Sequence, residues 1–509
     1  MDLIGGRWEE AQRPEGVIEN RSPADLDAVL SRHAWSGAQI DKAVAAAREA
    51  QPAWAARTVE ERLAIIRAAG AALQKHGDEL AKAIALDMGK ALWDARTEVA
   101  AAVAKAAVTA DEGMQLVAGF AAGEAAKRTP AGGAGRWAGA LGAAAAAECR
   151  FKPLGVLAVL GPFNFPVHLP NGHVLPALAC GNAVVMKPSE VAPHAAELYA
   201  RCLVEAGVPA GAFNLVQGGP AVGARLAAHE GIDGVLFTGS WAVGEALRKA
   251  TLGQTKLLAL ELGGKNAQIV LADADEEKAL YDAAFAAFVS AGQRCTAASR
   301  VIVEGPEARA DAFAARLAKV AARLVVGHPL DEGIFMGPLA SEAAMQKFEQ
   351  GCAAADAEAV LVPRRLAPRG LRGCYVSAGV HRVRQRSASA YQREELFGPD
   401  LAVFAARSEE EAVAIANDTP YGLAASVHTR TVEAFERCAA RLEAGCLGWN
   451  GPTVGASGRL PFGGMKRSGN HRPAGLFSTL YCAAPIAILR GEPMLDRGKI
   501  APGMAWDPA

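Results

Sequence analysis

Residues 234–262 read GVLFTGSWAVGEALRKATLGQTKLLALEL, and this stretch decides the fold. An apolar run at 234–239 ends in a turn that contains Gly239, a helix-like stretch follows, and a second apolar run occupies 256–262. A strand, a helix and a strand in this order predict a parallel βαβ unit, because parallel neighbours need a crossover connection.

The same alternation continues on both sides of this unit. Further short apolar runs, separated by helical patterns, occur at 155–160, 182–187 and 213–218. From residue 39 to about 117, Ala, Leu, Lys, Arg and Glu dominate at helical spacing. A second α/β stretch begins near Asn266 with AQIVLA, continues through SRVIVEG at 299–305 and ends near Thr453. The sequence therefore predicts two α/β domains built on parallel sheets.

The composition excludes several classes of protein. The 509 residues include 53 Lys+Arg and 54 Asp+Glu, and this balance disfavours nucleic acid as a partner. A content of 51% hydrophobic and 21% charged residues supports a large core and excludes disorder and fibres. The start, MDLIGGRWEEAQ, does not resemble an export signal, and the apolar runs are too short to span a membrane. Nine cysteines without a CxxC pair or a metal-type cluster indicate reduced thiols in the cytoplasm and no metal site.

Two motifs at the ends of predicted strands suit a ligand that carries phosphate and ribose. Gly239 and Gly244 form a G-x-x-x-x-G pattern at a helix start, and Ser240 stands at the cap, where free N–H groups suit a phosphate. The Lys of a P-loop and the GxGxxG fingerprint are both absent, so NTP binding is disfavoured and a purely structural turn remains open. Lys187 and Glu190, in KPSE, could hold ribose hydroxyls or form an exposed charged turn.

Three residues are candidates for catalysis. Cys295, in AGQRCTAASR at 291–300, could be a nucleophile if backbone N–H groups, a cation or a helix start lower the pKa of its thiol, and it could equally be a small core residue. Glu261 ends an apolar strand before two glycines and could be a general base or a helix-capping carboxylate. Asn164 lies between two prolines in GPFNFPVHLPNGH, where its amide could stabilise an oxyanion or form a turn.

Together these motifs, in this order, resemble those of the NAD(P)-dependent aldehyde dehydrogenase superfamily. The resemblance runs from GGRW near the N-terminus through EELFGPD at 394–400 to PFGGMKRSG at 461–469, and Glu261 and Cys295 have the family's spacing. It implies an α/β fold with a Rossmann-like NAD-binding domain, an α/β catalytic domain and a small β oligomerisation arm. The implied boundaries are 1–126 and 152–262 for the NAD-binding domain, 263–455 for the catalytic domain, 127–151 and 478–509 for the arm, and 456–477 for a tunnel and linker segment.

The resemblance also implies a role for each candidate. Cys295 resembles the nucleophile that attacks an aldehyde, and the Asn164 amide with the Cys295 backbone N–H would hold the oxyanion. Glu261 resembles the base that activates water to hydrolyse the resulting thioester. His173 and Pro473 stand where many relatives carry a Lys and a Glu that relay protons, so the proton from Glu261 would need another exit, through water and His173.

The implied cofactor is NAD. Lys187 and Glu190 match positions that hold the adenosine ribose, and Ser240 matches a pyrophosphate contact. The remaining positions of the implied cofactor site are Phe237, Gly239, Gly244 and the nicotinamide-ribose clamp of Glu395 and Phe397. A carboxylate at Glu190 would repel a 2′-phosphate, so the resemblance favours NAD over NADP.

Two stretches narrow the substrate. Residues 164–182 and SGNHRPAG at 468–475 resemble the branch of the superfamily that oxidises N-succinylglutamate 5-semialdehyde in bacterial arginine catabolism. The carboxylates of this acidic substrate would contact His168, Arg459 and His471. Gly172, which has no side chain, would leave the tunnel wide, and Phe462 would line it. The alternative is a medium- or long-chain aliphatic aldehyde in a tunnel lined by Leu169, Gly172, Leu460 and Phe462. Three features differ from this branch: the motif ELGGKN at 261–266, which has the form general to the superfamily, the insert before Cys149, and Arg459. They leave the choice between the two substrates open.

Other classes of function remain to be separated. A CoA-acylating relative generally lacks a Glu at position 261, so Glu261 favours hydrolysis of the thioester. A non-catalytic protein with this fold, or a cysteine hydrolase without a redox step, would form no NADH. The apolar tail YCAAPIAIL at 481–489 and the Ala- and Gly-rich insert at 127–148 predict an arm that joins a homodimer or a dimer of dimers. The alternative is that the two segments are surface loops.

Overall fold

The structure of the protein is a computed structural model that describes residues 1–121 and 147–490, with residues 494, 497, 500, 503, 504 and 506. Residues 127–146 of the predicted insert lie outside the described residues. Within the described part, none of the helices is long and apolar enough to cross a membrane.

The first sheet has seven strands and contains the five runs predicted around residues 234–262. Its strands, in order across the sheet, are Leu257–Glu261, Gly234–Thr238, Val156–Leu160, Ala183–Lys187, Phe213–Leu215, Asp2–Ile4 and Arg7–Glu9. The first five are parallel, and the two N-terminal strands add in antiparallel orientation through Leu3 opposite Leu215. The parallel βαβ prediction is therefore confirmed, and the antiparallel edge was not predicted.

The central strands are continuous apolar runs because both faces of the sheet are covered. Along Val156–Leu160, Leu157 and Val159 pack into one hydrophobic core, whereas Val156, Ala158 and Leu160 pack into another. All five residues are buried. A sheet covered on both faces loses the polar alternation of a half-exposed strand, which explains the sequence pattern.

Helices surround this sheet. Their bounds are Gly37–Ala55, Val59–Lys75, Gly77–Met88, Leu92–Ala107, His168–Ala179, Pro193–Glu205, Pro220–Ala228 and Trp241–Ala250, with short helical turns at Val108–Glu112 and Gly113–Val117. Residues near the helix termini determine where some of these helices begin and end. Thr58 and Glu61 exchange side-chain and backbone hydrogen bonds in a capping box at the start of one helix. Gly89, with φ of 81°, ends the helix Gly77–Met88 in the left-handed conformation that glycine adopts easily.

The second sheet also has seven strands and follows the first in the chain. In order across the sheet they are Glu358–Leu361, Gly379–Arg382, Asp400–Ala406, Ala298–Glu304, Asn266–Val270, Ala424–His428 and Cys446–Trp449. All neighbours are parallel except Glu358–Leu361, which is antiparallel. The helices of this half are Glu276–Phe288, Glu307–Ala321, Glu342–Ala353, Ala390–Arg393, Glu409–Asn417 and Val432–Ala439, with short turns at Val289–Gly292, Pro368–Gly370 and Leu476–Cys482.

Smaller sheets complete the chain. Gly16–Ser22 pairs with Asp25–Trp35, Tyr421–Gly422 pairs with Met465–Lys466, and Pro461–Phe462 pairs with Ala474–Gly475. The tail strand Ala483–Leu489 pairs along its length with Ala147–Pro153, which also pairs with Phe120–Ala121. The tail thus pairs with a segment more than 300 positions earlier, as the proposed arm requires.

Candidate active site

Cys295 lies in a tightly constrained loop just before the strand Ala298–Glu304. Ser290, Ala291 and Gly292 have φ values of 54°, 52° and 70°, three successive left-handed residues. A Cβ on Gly292 would lie 2.3 Å from the Gly398 carbonyl oxygen, so this close approach requires glycine. Such backbone strain persists only where surrounding contacts fix it.

Side chains from three parts of the chain hold this loop. The Asn266 amide donates to the Cys295 carbonyl at 2.7 Å, and the Thr453 hydroxyl donates to the Thr296 carbonyl at 2.7 Å. The Arg294 guanidinium donates to the Asp94 carboxylate at 2.6 Å. Cys295 itself is half-buried and lines the cavity described below.

Asn164 is brought to this loop from the first sheet. It follows the strand Val156–Leu160, is 4% exposed and donates from Nδ2 to the Gln293 carbonyl at 2.9 Å. A side-chain amide has two N–H donors, so the second remains for another acceptor. The segment after it is fixed by Glu98, which accepts the backbone N–H groups of Val167 and His168 at 3.0 and 3.1 Å.

Glu261 ends the strand Leu257–Glu261 and is fully buried. Neither of its carboxylate oxygens has a hydrogen-bond partner among the described residues. Gly469, in the late motif at 468–475, pairs with Glu261 at the edge of the strand, and a Cβ on Gly469 would lie 2.1 Å from the Leu260 carbonyl oxygen. The motif therefore fixes the backbone that carries this unpartnered carboxylate.

Burial and neighbouring negative charge raise the pKa values of both Glu261 and Cys295. Burial, followed by the charge of Glu395, raises the pKa of Glu261 to about 8. Burial and the charges of Glu261 and Glu395 raise the pKa of the Cys295 thiol well above its usual value. The neighbouring cation Arg294 is paired with Asp94. The condition considered from the sequence, a cation that lowers the thiol pKa, is therefore not what the described residues supply.

Lys187 and Glu190 lie together at the carboxyl end of the strand Ala183–Lys187. The Lys187 ammonium donates to the Gly218 carbonyl at 2.8 Å and lies 3.4 Å from the Glu190 carboxylate. Burial lowers the pKa of Lys187, partly offset by Glu190. The Glu190 side chain is 41% exposed, so its carboxylate can accept hydrogen bonds from a ligand.

The turn after the strand Gly234–Thr238 leads into the start of the helix Trp241–Ala250. Ser240 caps the helix Trp241–Ala250 by accepting the Val243 N–H. A Cβ on Gly239 would lie 2.4 Å from the Phe237 ring, and a Cβ on Gly244 would lie 2.9 Å from the Leu262 side chain. Both glycines are therefore needed for close packing, and the first N–H groups of the helix remain available to a phosphate.

Glu395 and Phe397 lie beside the two glycines that follow Glu261. The Glu395 carboxylate accepts the Gly264 N–H at 3.1 Å, and a Cβ on Gly263 would lie 2.3 Å from it. Burial raises the pKa of Glu395 to about 7. Phe397 has φ of 57°, and its ring lies edge-on to Phe163 at 5.8 Å. These residues fit a dinucleotide. The carboxylates of Glu190 and Glu395 could accept hydrogen bonds from its two riboses, and the helix start after Ser240 could bind its phosphates.

A cavity of about 490 Å3 contacts Cys295. Of the predicted substrate residues, His168, Gly172, Arg459 and Phe462 line it. A Cβ on Gly172 would meet no atom within 4 Å, which agrees with the expected wide tunnel.

Two of the expected tunnel contacts need correction. His471 and Leu460 are exposed and do not line the cavity, because the backbone around 469–475 is held against the strand of Glu261 and the short sheet. Arg459 lines the cavity, but its guanidinium donates to Glu112 at 2.7 Å and its side chain is 72% exposed. Its charge is therefore paired and in contact with solvent.

Sequence reasoning missed Glu98 and Lys105, which line the same cavity from the helix Leu92–Ala107. Both are buried on a face with Ala95, Val99 and Ala102. The sequence could have indicated them, because the 3.6-residue period of this Ala-rich helix places both charged residues on its apolar face.

His173 takes part in a continuous chain of buried hydrogen bonds. Its Nδ1 lies 2.7 Å from the Tyr481 hydroxyl, which donates to the Pro473 carbonyl at 2.7 Å, and its Nε2 lies 3.2 Å from the Thr238 hydroxyl. This pattern is satisfied when Nδ1 carries the proton and Thr238 donates to Nε2. Burial lowers the pKa of His173 to about 3, so the ring is neutral.

Comparisons with known proteins agree with this geometry. Residues 8–482 match the aldehyde dehydrogenase family. N-succinylglutamate 5-semialdehyde dehydrogenase of Chromobacterium violaceum is 41% identical over 507 residues, 99% of each chain. A mutant of aldehyde dehydrogenase C from Pseudomonas syringae, solved with NAD+ and octanal, has a TM-score of 0.86 at 34% identity over 96% of each chain. An NADP-dependent Escherichia coli enzyme has a TM-score of 0.85 at 31% identity, over 96% of this chain and 97% of its own. The chain belongs to the aldehyde dehydrogenase family and is an NAD(P)-dependent oxidoreductase that acts on aldehydes.

Proposed function

We propose that this enzyme oxidises N-succinylglutamate 5-semialdehyde to N-succinylglutamate with NAD+ as the oxidant. The observation that carries the proposal is the cavity of about 490 Å3 that contacts Cys295, in which a Cβ on Gly172 would meet no atom within 4 Å, since an acylated amino-acid aldehyde needs a broad tunnel. The relative from Chromobacterium violaceum, which carries the name of this activity, supports the choice through 41% identity over 507 residues.

The chemistry follows from the residues around Cys295. The Cys295 sulfur attacks the aldehyde carbon, and the Asn164 amide and the Cys295 backbone N–H stabilise the oxygen of the thiohemiacetal. NAD+, when bound, supplies the acceptor for the hydride that leaves this carbon. Glu261 then takes a proton from water, and the resulting hydroxide attacks the thioester carbon. The C–S bond breaks, the carboxylic acid is released, and the Cys295 thiolate takes back the proton that Glu261 had accepted.

The preference for NAD rests on Glu190. Its carboxylate is exposed beside Lys187, where it would accept ribose hydroxyls and repel a 2′-phosphate. Lys187, Ser240, Glu395 and Phe397 would hold the rest of the cofactor, with Phe237, Gly239 and Gly244 shaping the backbone around it.

A second candidate substrate is a medium- or long-chain aliphatic aldehyde. Phe165, Leu169, Phe462 and several alanines line the cavity, and such a wall suits an alkyl chain. The Pseudomonas syringae relative solved with octanal, at 34% identity, supports this alternative.

The edge strand of the arm and the free cysteines support our proposals for the oligomeric state and the cellular compartment. The strand Ala483–Leu489 lies at the edge of its small sheet with Leu489 82% exposed, so this edge favours a homodimer, or a dimer of dimers, through the arm. All nine cysteines are free thiols, which suits a reducing cytoplasm.

The deciding experiment compares kcat/KM for N-succinylglutamate 5-semialdehyde and for octanal, each with NAD and with NADP. We expect the semialdehyde with NAD to be the best pair. A higher kcat/KM for octanal would replace the proposed substrate with the aliphatic alternative.

A further inference from the structure

Lys105 is a buried cation on the wall of the substrate cavity. It lies near the end of the helix Leu92–Ala107, is 4% exposed and lines the cavity that contacts Cys295. Its ammonium donates to the Gly475 carbonyl at 2.7 Å and to the Ser478 hydroxyl at 2.6 Å. An ammonium group has three donors, so one donor remains for a ligand.

The other charged groups of this wall are paired. Glu98 lies 2.6 Å from Lys90, Arg294 lies 2.6 Å from Asp94, and Arg459 lies 2.7 Å from Glu112. Among the residues that the structure describes, no Asp or Glu lies within ion-pair distance of Lys105. A buried charge without an opposite charge raises the free energy of the folded protein. An anionic ligand that binds beside Lys105 would relieve this cost.

His168 adds a second unsatisfied group to the same wall. Its Nδ1 is buried and has no hydrogen-bond partner within the described part of the chain. Burial, followed by the charge of Lys105, lowers the pKa of His168 to about 4, so the ring is neutral and can donate one N–H. Both Lys105 and His168 line the cavity that contacts Cys295.

We propose that Lys105 and His168 form an anion subsite that binds a carboxylate of the substrate and so selects acidic aldehydes. This inference rests on the proposed function in taking an acidic aldehyde as the substrate. The carboxylate would accept hydrogen bonds from the free Lys105 donor and from the His168 ring, satisfying both groups at once.

Lys105 is a better specificity residue than Arg459 on physical grounds. Arg459 is 72% exposed and already paired with Glu112, so solvent and Glu112 both weaken its attraction for a ligand. Lys105 is shielded from solvent and lacks a carboxylate partner, so its interaction with a bound anion is screened much less.

The test measures KM and kcat separately for the semialdehyde and for octanal in Lys105→Met, which keeps the length of the side chain and removes its charge. We expect kcat/KM for the semialdehyde to fall roughly tenfold to 100-fold, mainly through KM, and octanal to change less than about threefold. Lys105→Arg should recover part of the loss. Lys256→Met is the matched control. Like Lys105, Lys256 donates two hydrogen bonds within the protein, in its case to two backbone carbonyls, but it does not line the cavity.

A binding measurement keeps the two proposals distinguishable. The Kd of N-succinylglutamate, measured by calorimetry, should rise at least about tenfold in Lys105→Met and severalfold in His168→Phe. An unchanged Kd, or equal losses for both aldehydes, overturns the anion subsite while leaving the proposed function standing. A wild-type preference for octanal overturns the proposed function, and the calorimetry then decides the subsite by itself. If Lys105→Met does not fold, Lys105→Gln, which also removes the charge, and His168→Phe provide the same comparison.

Discussion

The side-chain amide of Asn164 donates a 2.9 Å hydrogen bond to the carbonyl of Gln293, two residues before Cys295. This bond joins the loop after a strand of the first sheet to the loop that enters a strand of the second. The amide therefore keeps a fixed position beside the sulfur, and its second N–H can meet the oxygen of a bound aldehyde.

Replacing Asn164 with Ala should slow the formation of the covalent adduct. Loss of one preorganised oxyanion donor typically lowers the rate roughly 100-fold to 1,000-fold, and we expect single-turnover NADH formation to fall within this range. Thermal unfolding is the control, since the variant also loses the bond to Gln293. A rate close to that of the wild type would assign the amide a purely structural role.

Cys295→Ala should abolish NADH formation and preserve NAD binding, because the sulfur makes the covalent bond and the cofactor lies on other residues. Cys446→Ala is the matched control: Cys446 is also half-buried, and its charge contributes to the raised pKa of Cys295. We expect that variant to retain turnover. NADH production by Cys295→Ala, followed by absorbance, would exclude the mechanism.

Glu190→Gln should weaken the discrimination between NAD and NADP. Removing the carboxylate relieves its repulsion of a 2′-phosphate, so the Kd of NADP should fall by roughly threefold to tenfold while that of NAD rises. Glu230→Gln, at an exposed site elsewhere, should change neither Kd. Equal wild-type affinities for the two cofactors would mean that the Glu190 side chain turns away from the ribose.

The sequence predicted the parallel strands because each is a short apolar run buried on both faces, as in Val156–Leu160. It did not predict the antiparallel strand Asp2–Ile4, whose partner Phe213–Leu215 lies over 200 positions away. Strands of only three residues carry no distinctive periodicity, and tertiary contacts determine their pairing.

The same limit applies to the candidate site. Cys295, Glu261 and Asn164 stood out through local motifs, but the raised pKa of the thiol depends on burial and on the charges of Glu261 and Glu395, and Glu395 lies 100 residues away in the chain. Lys105 was overlooked because its helix reads as ordinary Ala-rich sequence. Its importance depends on the absence of a nearby carboxylate within the described residues, which no local pattern reveals.

The arm prediction can be tested with a truncation that spares the core. Tyr481 and Cys482 are buried, and Tyr481 binds His173, so the chain should end after Ala483 rather than before Tyr481. This removes most of the strand that pairs with Ala147–Pro153, and we expect monomers or aggregates by light scattering. A chain that ends after Arg490 keeps the strand and should retain the wild-type assembly. If both chains form the same dimer, the interface lies elsewhere.

The last prediction concerns the pH dependence of Glu261. Its pKa is raised to about 8 by burial and by Glu395, so at pH 7 most of the carboxylate is protonated and cannot accept a proton from water. If thioester hydrolysis limits turnover, kcat should rise with pH from about 6 to 9, with a midpoint near the pKa of Glu261.

Glu261→Gln separates this step from the earlier ones. Without a general base, kcat should fall roughly 100-fold to 10,000-fold and lose the pH-dependent rise, while a rapid burst of one NADH per active site remains. Stopped-flow absorbance measures both phases in one experiment. The raised thiol pKa makes the burst informative, because a burst that disappears in Glu261→Gln would show that this carboxylate also deprotonates Cys295 before it attacks the aldehyde.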